Sequence, residues 1–260
     1  MAVILGSPGI YLGGASVPPV PPFVNEYSMS FDGIGDYIYA GTSSLGITGG
    51  ISVSAWVKIP TTNTGGASAP YVQVIACEDT TSGGQRNWTL AWRGTGFNYF
   101  QWSVFAPNGA STTVASSGVV PNDNQWHHLL GTFDGTTGTN GVKLYVDGSL
   151  SSQATASFAG LNSGSTVEPT IGALTGGVGR RLEGTIDSVA VWNSDQSSNI
   201  NSIYSPSGVV DISSLNPLSW WRMGDGDSFS TNWTLIDNGS GGNDGTSVSM
   251  PEEARVTDVP

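Results

Sequence analysis

The stretch FDGIGDYIYAGTSSLGITGGISVSAWVKIP, Phe31 to Pro60, decides the fold class. From Ile51 its apolar residues recur at every second position: Ile51, Val53, Ala55 and Val57 share one face, while Ser52, Ser54, Trp56 and Lys58 share the other. A period of two belongs to a strand with one buried face; a helix would need a spacing of three to four. Trp56 is the odd member, because it falls on the face that ought to meet water. A large aromatic there is either covered by a loop or a terminal arm, or left open as a stacking platform.

The alternation continues downstream in short runs. "NWTLAWR" (Asn87–Arg93), "FNYFQWSVF" (Phe97–Phe105) and "QWHHLLGTFDG" (Gln125–Gly135) read as strands, separated by clusters of Gly, Pro, Asn and Asp. In "GVKLYVDGSL" the pair Asp147-Gly148 supplies the positive φ of a tight hairpin. In "GRRLEGTIDSVAVWN" Ile186 is followed by Val189 and Val191, a break in alternation that predicts a bulge. Only "NSDQSSNINSIYSPSG" predicts a helix: Ser194 or Asp195 caps it, Ile200 and Tyr204 share a face, and Pro206 with Gly208 ends it. Many short alternating strands with so little helix predict an all-β protein, a two-sheet antiparallel sandwich with one short helix and extended terminal segments. At 260 residues and 38% hydrophobic content, the chain is large enough to bury a real core.

Three parts are expected. Residues 1–25 are a Gly/Pro-rich arm in which Ile4, Leu5, Ile10, Tyr11, Leu12 and Phe23 need cover, so the arm is predicted to dock on its own domain or on a neighbouring chain. "VPPVPPF" (Val17–Phe23) is expected to be extended, since consecutive prolines fix φ. Residues 26–206 carry the sandwich. Residues 207–260 form a C-terminal extension rich in Asp and Gly, predicted to be pinned by turns on the sandwich or a neighbour rather than to hold a core of its own. The start, MAVILGSPGIYLGG, lacks a basic n-region and is broken by Gly6, Pro8 and Gly9, so no signal peptide is expected; nor does any window approach a membrane span.

Eight Lys plus Arg against twenty Asp plus Glu give a net charge of −12, which argues against a nucleic-acid partner. The lone Cys77, inside the apolar run YVQVIAC, reads as a small buried hydrophobe.

Five pieces, "SMSFDGIGDYIYAG", "ISVSAWVKIP", "QWHHLLGTFDG", "VKLYVDG" and "LEGTIDSVAVWN", spread over Ser28 to Tyr204, together resemble the laminin G-like, concanavalin A-like lectin/glucanase jelly rolls. The tail, "WWRMGDGD" followed by "IDNGSGGNDGT", resembles the end of such proteins on tailed-bacteriophage particles. The resemblance implies a jelly-roll sandwich that often binds glycans or proteins, sometimes with calcium. It also implies that first-turn and last-strand carboxylates meet at the sheet rim, which points to Asp32, Asp36 and Asp187 as calcium ligands; the alternative is that they merely cap turns.

Trp88 shares a phase with Trp92, and Trp102 with Phe100, so these rings together with Trp56 are candidates for lining a sugar-binding trough; the alternative for each is core packing. Trp56 is expected to support a second, loop-covered core. His127 and His128 are neighbours on a strand and point to opposite faces, so a structural role is expected rather than a shared metal. The Glu-x-Asp-x-Glu motif of the related glucanases is missing, no nucleophile elbow is present, and no enzyme is expected. The function expected is that of a non-enzymatic virion-surface structural or adhesion protein, a capsid decoration or fibre component made in the host cytoplasm. Its arm and tail would contact other virion proteins or further copies in a homo-oligomer or larger assembly. The alternative is a calcium-dependent lectin for a host-cell polysaccharide.

Overall fold

A strand that is apolar on one face must bury that face, and a chain of such strands does so by stacking two sheets. The computed structural model, which describes residues 22–64, 72–80, 85–177 and 179–260, has this arrangement. In chain order the strands are β1 (Ser28–Asp32), β2 (Tyr37–Tyr39), β3 (Ile51–Lys58), β4 (Val72–Asp79), β5 (Arg86–Arg93), β6 (Tyr99–Phe105), β7 (Ser111–Ala115), β8 (Trp126–Phe133) and β9 (Val142–Val146). They continue as β10 (Ser149–Ala154), β11 (Thr170–Ile171), β12 (Glu183–Trp192), β13 (Ser219–Trp221), β14 (Ser228–Phe229), β15 (Trp233–Leu235), β16 (Gly245–Val248) and β17 (Arg255–Val256). One sheet runs β10-β9-β8-β3-β12-β1-β17, with β13 also paired to β12; the other runs β14-β15-β16-β2-β11-β4-β5-β6-β7. The pairings are antiparallel, and the fold is a jelly-roll sandwich.

The inward residues of β3 are Ile51, Val53, Ala55 and Val57, as the period of two requires, and all four are inaccessible to solvent. Facing them from the other sheet are Trp88, Leu90 and Trp92 of β5 and Phe100, Trp102 and Val104 of β6. Gly131 of β8 marks how closely the layers approach, since a Cβ there would lie 2.4 Å from the Trp102 ring. Trp102 donates its indole N–H to the Thr132 carbonyl at 3.0 Å.

The break in alternation at β12 is a bulge: Asp187 lies opposite Trp56 and Ala190 opposite Ser54, which leaves two residues of β12 against one of β3, with Ser188 at φ 46°. The helical segment is short, a tight turn at Ser197–Asn199 continuing into α1 (Ile200–Ile203). Asp195 accepts hydrogen bonds from the Ser197 N–H and hydroxyl at its start, and the helix is over by Tyr204.

The C-terminal segment from residue 207 is woven into the sandwich rather than laid upon it. Its strand β13 extends the first sheet beside β12, β17 pairs with β1, and β14 to β16 form one end of the second sheet. Its aspartates serve backbone amides. Asp237 accepts from Trp220, Gly239 and Asn243, and Asp227 accepts from Gly224 and Ile236. A boundary at residue 206 therefore divides the sequence but not the core.

Candidate functional site

Each sheet has an outer face. On the eight-stranded sheet that face is sealed. Leu130, Ala190, Trp192 and Trp220 form a second core there, closed by Ile203 of α1, by Ile212 and Leu215 of the following loop, and by Phe23 at the root of the arm. Trp192 donates its indole N–H to the Leu215 carbonyl at 3.1 Å, and Phe23 stacks on Trp220 with ring centroids 5.9 Å apart. The Arg222 guanidinium lies over Phe23 and hydrogen-bonds the Val24 carbonyl. Ile4, Leu5, Ile10, Tyr11 and Leu12 lie outside the described residues.

Trp56 belongs to this covered face. It is 6% exposed and packs against His128 (5.2 Å between centroids) and Tyr204 (5.7 Å), which comes from just beyond α1. The second, loop-covered core expected for Trp56 is what the structure holds. The sugar trough expected from Trp88, Trp92 and Trp102 is corrected: those rings point inward, between the sheets, and are at most 1% exposed. A ring enclosed on both sides offers no face to a pyranose. Their shared phase was a core phase.

The carboxylates implied as calcium ligands do not converge. Asp32 pairs with Glu183 in the β1–β12 register, four residues along β12 from Asp187, a separation of about 13 Å at the rise of a strand. Asp32 closes the first turn by accepting the N–H groups of Ile34, Gly35 and Asp36. Burial alone would raise its pKa; these amide bonds outweigh it and hold the carboxyl below its ordinary value. Asp36 in turn accepts the Asp32 N–H, and burial with the charge of Asp32 pushes it up to about 6. Asp187 is fully buried beneath Asn25, whose amide donates to it at 2.8 Å; burial pushes its pKa up to about 8 despite that bond. This donor set does not fit a hydrated cation. Among the described residues no group of three or more His, Cys, Asp or Glu side chains is gathered to hold a metal.

The adjacent histidines face opposite ways, as their strand positions require. His128, fully buried on the sealed face, contacts the Ser54 hydroxyl at 3.0 Å, and burial lowers its pKa to about 3. His127, at the rim of the main core against Phe100, lies 2.8 Å from Asp147 and 3.3 Å from Asp123. Burial would lower its pKa, but the two carboxylates reverse the sign and raise it.

The outer face of the nine-stranded sheet is different. Residues of β5 and β6 out of phase with the core tryptophans are Thr89, Ala91 and Arg93, then Tyr99, Gln101, Ser103 and Phe105. Strict alternation would bury Arg86 with Trp88. Instead Glu78 pairs with Trp88 and Asp79 with Arg86, so Asn87 is an extra residue whose bulge turns Arg86 outward. Arg86 makes a two-pronged ion pair with Asp79, both contacts at 2.9 Å, and lies 3.8 Å over the Phe105 ring. Asp79 also accepts the Thr89 hydroxyl. At the other end of β5, Arg93 lies 3.7 Å over Phe97 and donates to the Tyr99 hydroxyl at 3.3 Å. A loop carrying Leu174 packs on Val74 and Cys77 and covers one side of the face; it returns through Arg180, whose carbonyl accepts the Val74 N–H.

What remains is an open groove of about 390 Å³, lined by Arg86, Arg93, Arg180, Tyr99, Gln101 and Thr113 among others. That volume lies within the range of small-ligand sites. Gln101 makes no side-chain hydrogen bond among the described residues, and the Ser103 hydroxyl reaches only Thr113, at 2.8 Å. The sequence reading passed over these residues because it followed the aromatic phase of "NWTLAWR". The signal available was the opposite phase, which ends in Arg93. A larger hollow, about 470 Å³, lies beside Phe23, Trp220 and Arg222, but the arm itself supplies its wall.

A family model described as the concanavalin A-like lectin/glucanases superfamily, of laminin G type, matches residues 32–199. Comparison with curated proteins gives no match. Among solved structures, the chain is similar to a putative carbohydrate binding protein from Bacteroides ovatus, with a TM-score of 0.66, 17% identity, 91% of this chain covered and 61% of that one. It thus spans about three fifths of that protein's length. It is also similar to the heptameric SAP-like pentraxin of Limulus polyphemus, with a TM-score of 0.50, 12% identity, and coverage of 71% of this chain and 84% of that one. At such identities the likeness shows a shared fold. The matched span takes in the first turn, strands β2 to β12 of the two sheets and the turn before α1, and on that ground the chain belongs to the concanavalin A-like lectin/glucanase superfamily.

Proposed function

We propose that this protein is a non-catalytic glycan-binding module whose recognition surface is the outer face of the nine-stranded sheet. One observation carries the reading: of the two outer faces, the one over β3, β8 and β12 is filled by a second core, whereas the one over β5, β6 and β7 is an open groove lined by amide, hydroxyl, aromatic and guanidinium groups. Such groups suit the hydroxyls and apolar patches of a sugar chain. The carboxylate on this face, Asp79, is committed to Arg86 and Thr89, which suits a scaffold role better than acid catalysis. A glycan array probed with the full chain tests the proposal. Binding to at least one polysaccharide class, surviving chelator and releasing no reducing ends, is expected. Binding to none would overturn the reading, and released reducing ends would make the protein a hydrolase.

A second reading, the outward module of a tailed-phage particle, is favoured by the seating of Phe23 on Trp220. Phe23 thus sits at the sealed face, on the sheet opposite the groove, which suits attachment on one side and recognition on the other. Deleting Met1–Pro21 is expected to abolish incorporation into particles while leaving glycan binding intact. Unchanged incorporation would sink this reading alone.

A further inference from the structure

We infer that the glycan is anionic, a chain bearing carboxylate or sulfate groups that the Arg86, Arg93 and Arg180 guanidiniums address along the groove; this rests on the groove being the recognition surface. The chain has only eight Lys plus Arg and carries a net charge of −12, yet three of those eight cations line this single depression. A random scatter of eight cations over an acidic surface does not gather them where the sandwich is open, and like charges so placed repel one another unless something relieves them.

Their partners show how little of that charge is compensated. Arg86 is matched by Asp79. Arg93 has an aromatic ring and a phenol but no carboxylate among the described residues, and its Nε is buried without a hydrogen-bond partner. Arg180 makes no side-chain hydrogen bond or ion pair among the described residues. It is held at φ 53° by a backbone whose carbonyl is fixed to β4, so the side chain starts from a defined position. Burial lowers the Arg180 pKa; Asp79 partly offsets this, and the nearby charges of Arg86 and Arg93 add to the lowering. Successive anionic groups along the groove would relieve this repulsion.

The chemistry of the ligand follows from the donors. A guanidinium presents a planar fork that matches the paired oxygens of a carboxylate or sulfate. Arg86 and Arg93 bracket the length of β5, about 20 Å at the rise of a strand, so the charged positions are spread along a groove rather than focused on one point. That spacing favours a repeating acidic polymer over a single small anion. Gln101 and Thr113, between the two ends, are left for neutral hydroxyls.

The test uses the full chain with four polymers: polygalacturonate, its carboxyl-reduced neutral counterpart, dextran sulfate and dextran. At low salt, binding to polygalacturonate or dextran sulfate is expected to exceed binding to the uncharged counterpart by tenfold or more, and to weaken steeply between about 0.05 and 0.5 M salt. Which acidic polymer binds identifies uronate or sulfate as the source of charge. Arg93→Gln and Arg180→Gln are each expected to reduce that binding at least fivefold with an unchanged melting temperature. Equal, salt-insensitive binding of charged and neutral polymers would overturn the charge inference while leaving the glycan reading intact. Acidic-polymer binding that neither variant weakens would overturn the assignment to this groove. An array with no glycan bound at all would remove the reading on which both depend.

Discussion

On the eight-stranded sheet the outward residues of β3, β8 and β12 include Trp56, His128, Leu130, Ala190 and Trp192, all of them under cover. On the nine-stranded sheet the outward residues of β5, β6 and β7 include Arg93, Tyr99, Gln101 and Thr113, and these are reached by solvent. Both faces belong to strands with the same inward pattern, so alternation does not distinguish them. What does is the chain's own use of its ends. The helix, the loop after it and the root of the arm are all spent on one side. Covering a face that carries Trp56, Trp192, Trp220 and Leu130 removes much apolar area from water, whereas covering the arginine face would strand charge in a dry interior. The difference teaches that in a two-sided sandwich the functional side is found by asking which face the protein leaves uncovered, and why it can.

The hardest blow to that contrast is Trp192→Ala. The ring is almost fully buried in the second core, and its removal leaves a cavity and an unpaired Leu215 carbonyl. A loss of about 3 to 5 kcal/mol in unfolding free energy is expected from urea titration. Glycan binding, measured well below the lowered transition, is expected to persist, since the groove lies on the other sheet. Loss of binding in a variant still folded at the assay temperature would mean that the two faces are not independent.

A middle-sized effect separates the faces by pH. The sealed side buries Asp187, with a pKa raised to about 8, and His128, with a pKa lowered to about 3. For Asp187 the folded value lies above the unfolded one near 3.8, so the folded chain holds the extra proton. Its favourable contribution is complete below about pH 4 and is lost as pH rises through about 8, with a slope of at most about 1.4 kcal/mol per pH unit. His128 acts in the other direction, because a histidine kept neutral in the fold costs stability as pH falls below its ordinary 6.5. Asp187→Asn retains an acceptor for the Asn25 amide and cannot ionise. It is expected to flatten the decline in stability between about pH 6.5 and 8 and, because the opposing Asp187 slope is gone, to steepen the loss that His128 causes as pH falls from about 6.5 to 4. A decline identical to that of the parent protein would show that Asp187 is ionised in the fold.

The sandwich was legible because period-two patterning is a local property, and the bulge at Asp187 was legible as a break in it. The sealed core under Trp56 followed from the same logic, a large ring on a face that had to be covered. Burial in three dimensions was harder to read. The shared phase of Trp88 and Trp92 says that they point the same way, not whether that way is inward, and a trough and a core have the same period. The tail strands β13 to β17 run two to four residues each, too short to show any period at all. Arg86 was hidden for a third reason: its phase by counting is that of Trp88, and only the extra residue Asn87, invisible without the partner strand, turns it to the groove. Arg180 comes from a loop whose place over β4 is a tertiary fact.

The smallest expected effect is the one that most sharpens the contrast. Arg93 and Arg180 lie on the uncovered face, and neither makes an ion pair with a carboxylate among the described residues. Removing their charge therefore breaks no buried network, and it eases repulsion with Arg86. The double variant Arg93→Gln, Arg180→Gln is expected to change unfolding free energy by no more than about 0.5 kcal/mol, the range of ordinary surface substitutions. The loss of the Arg93 contact with Phe97, worth about 0.5 to 1 kcal/mol at an exposed site, works against that easing. A near-zero balance in stability beside a large loss of acidic-glycan binding is what a surface kept for recognition should give. A stability loss comparable to that of Trp192→Ala would instead make the arginines part of the fold's own support, and the two faces would differ in chemistry without differing in purpose.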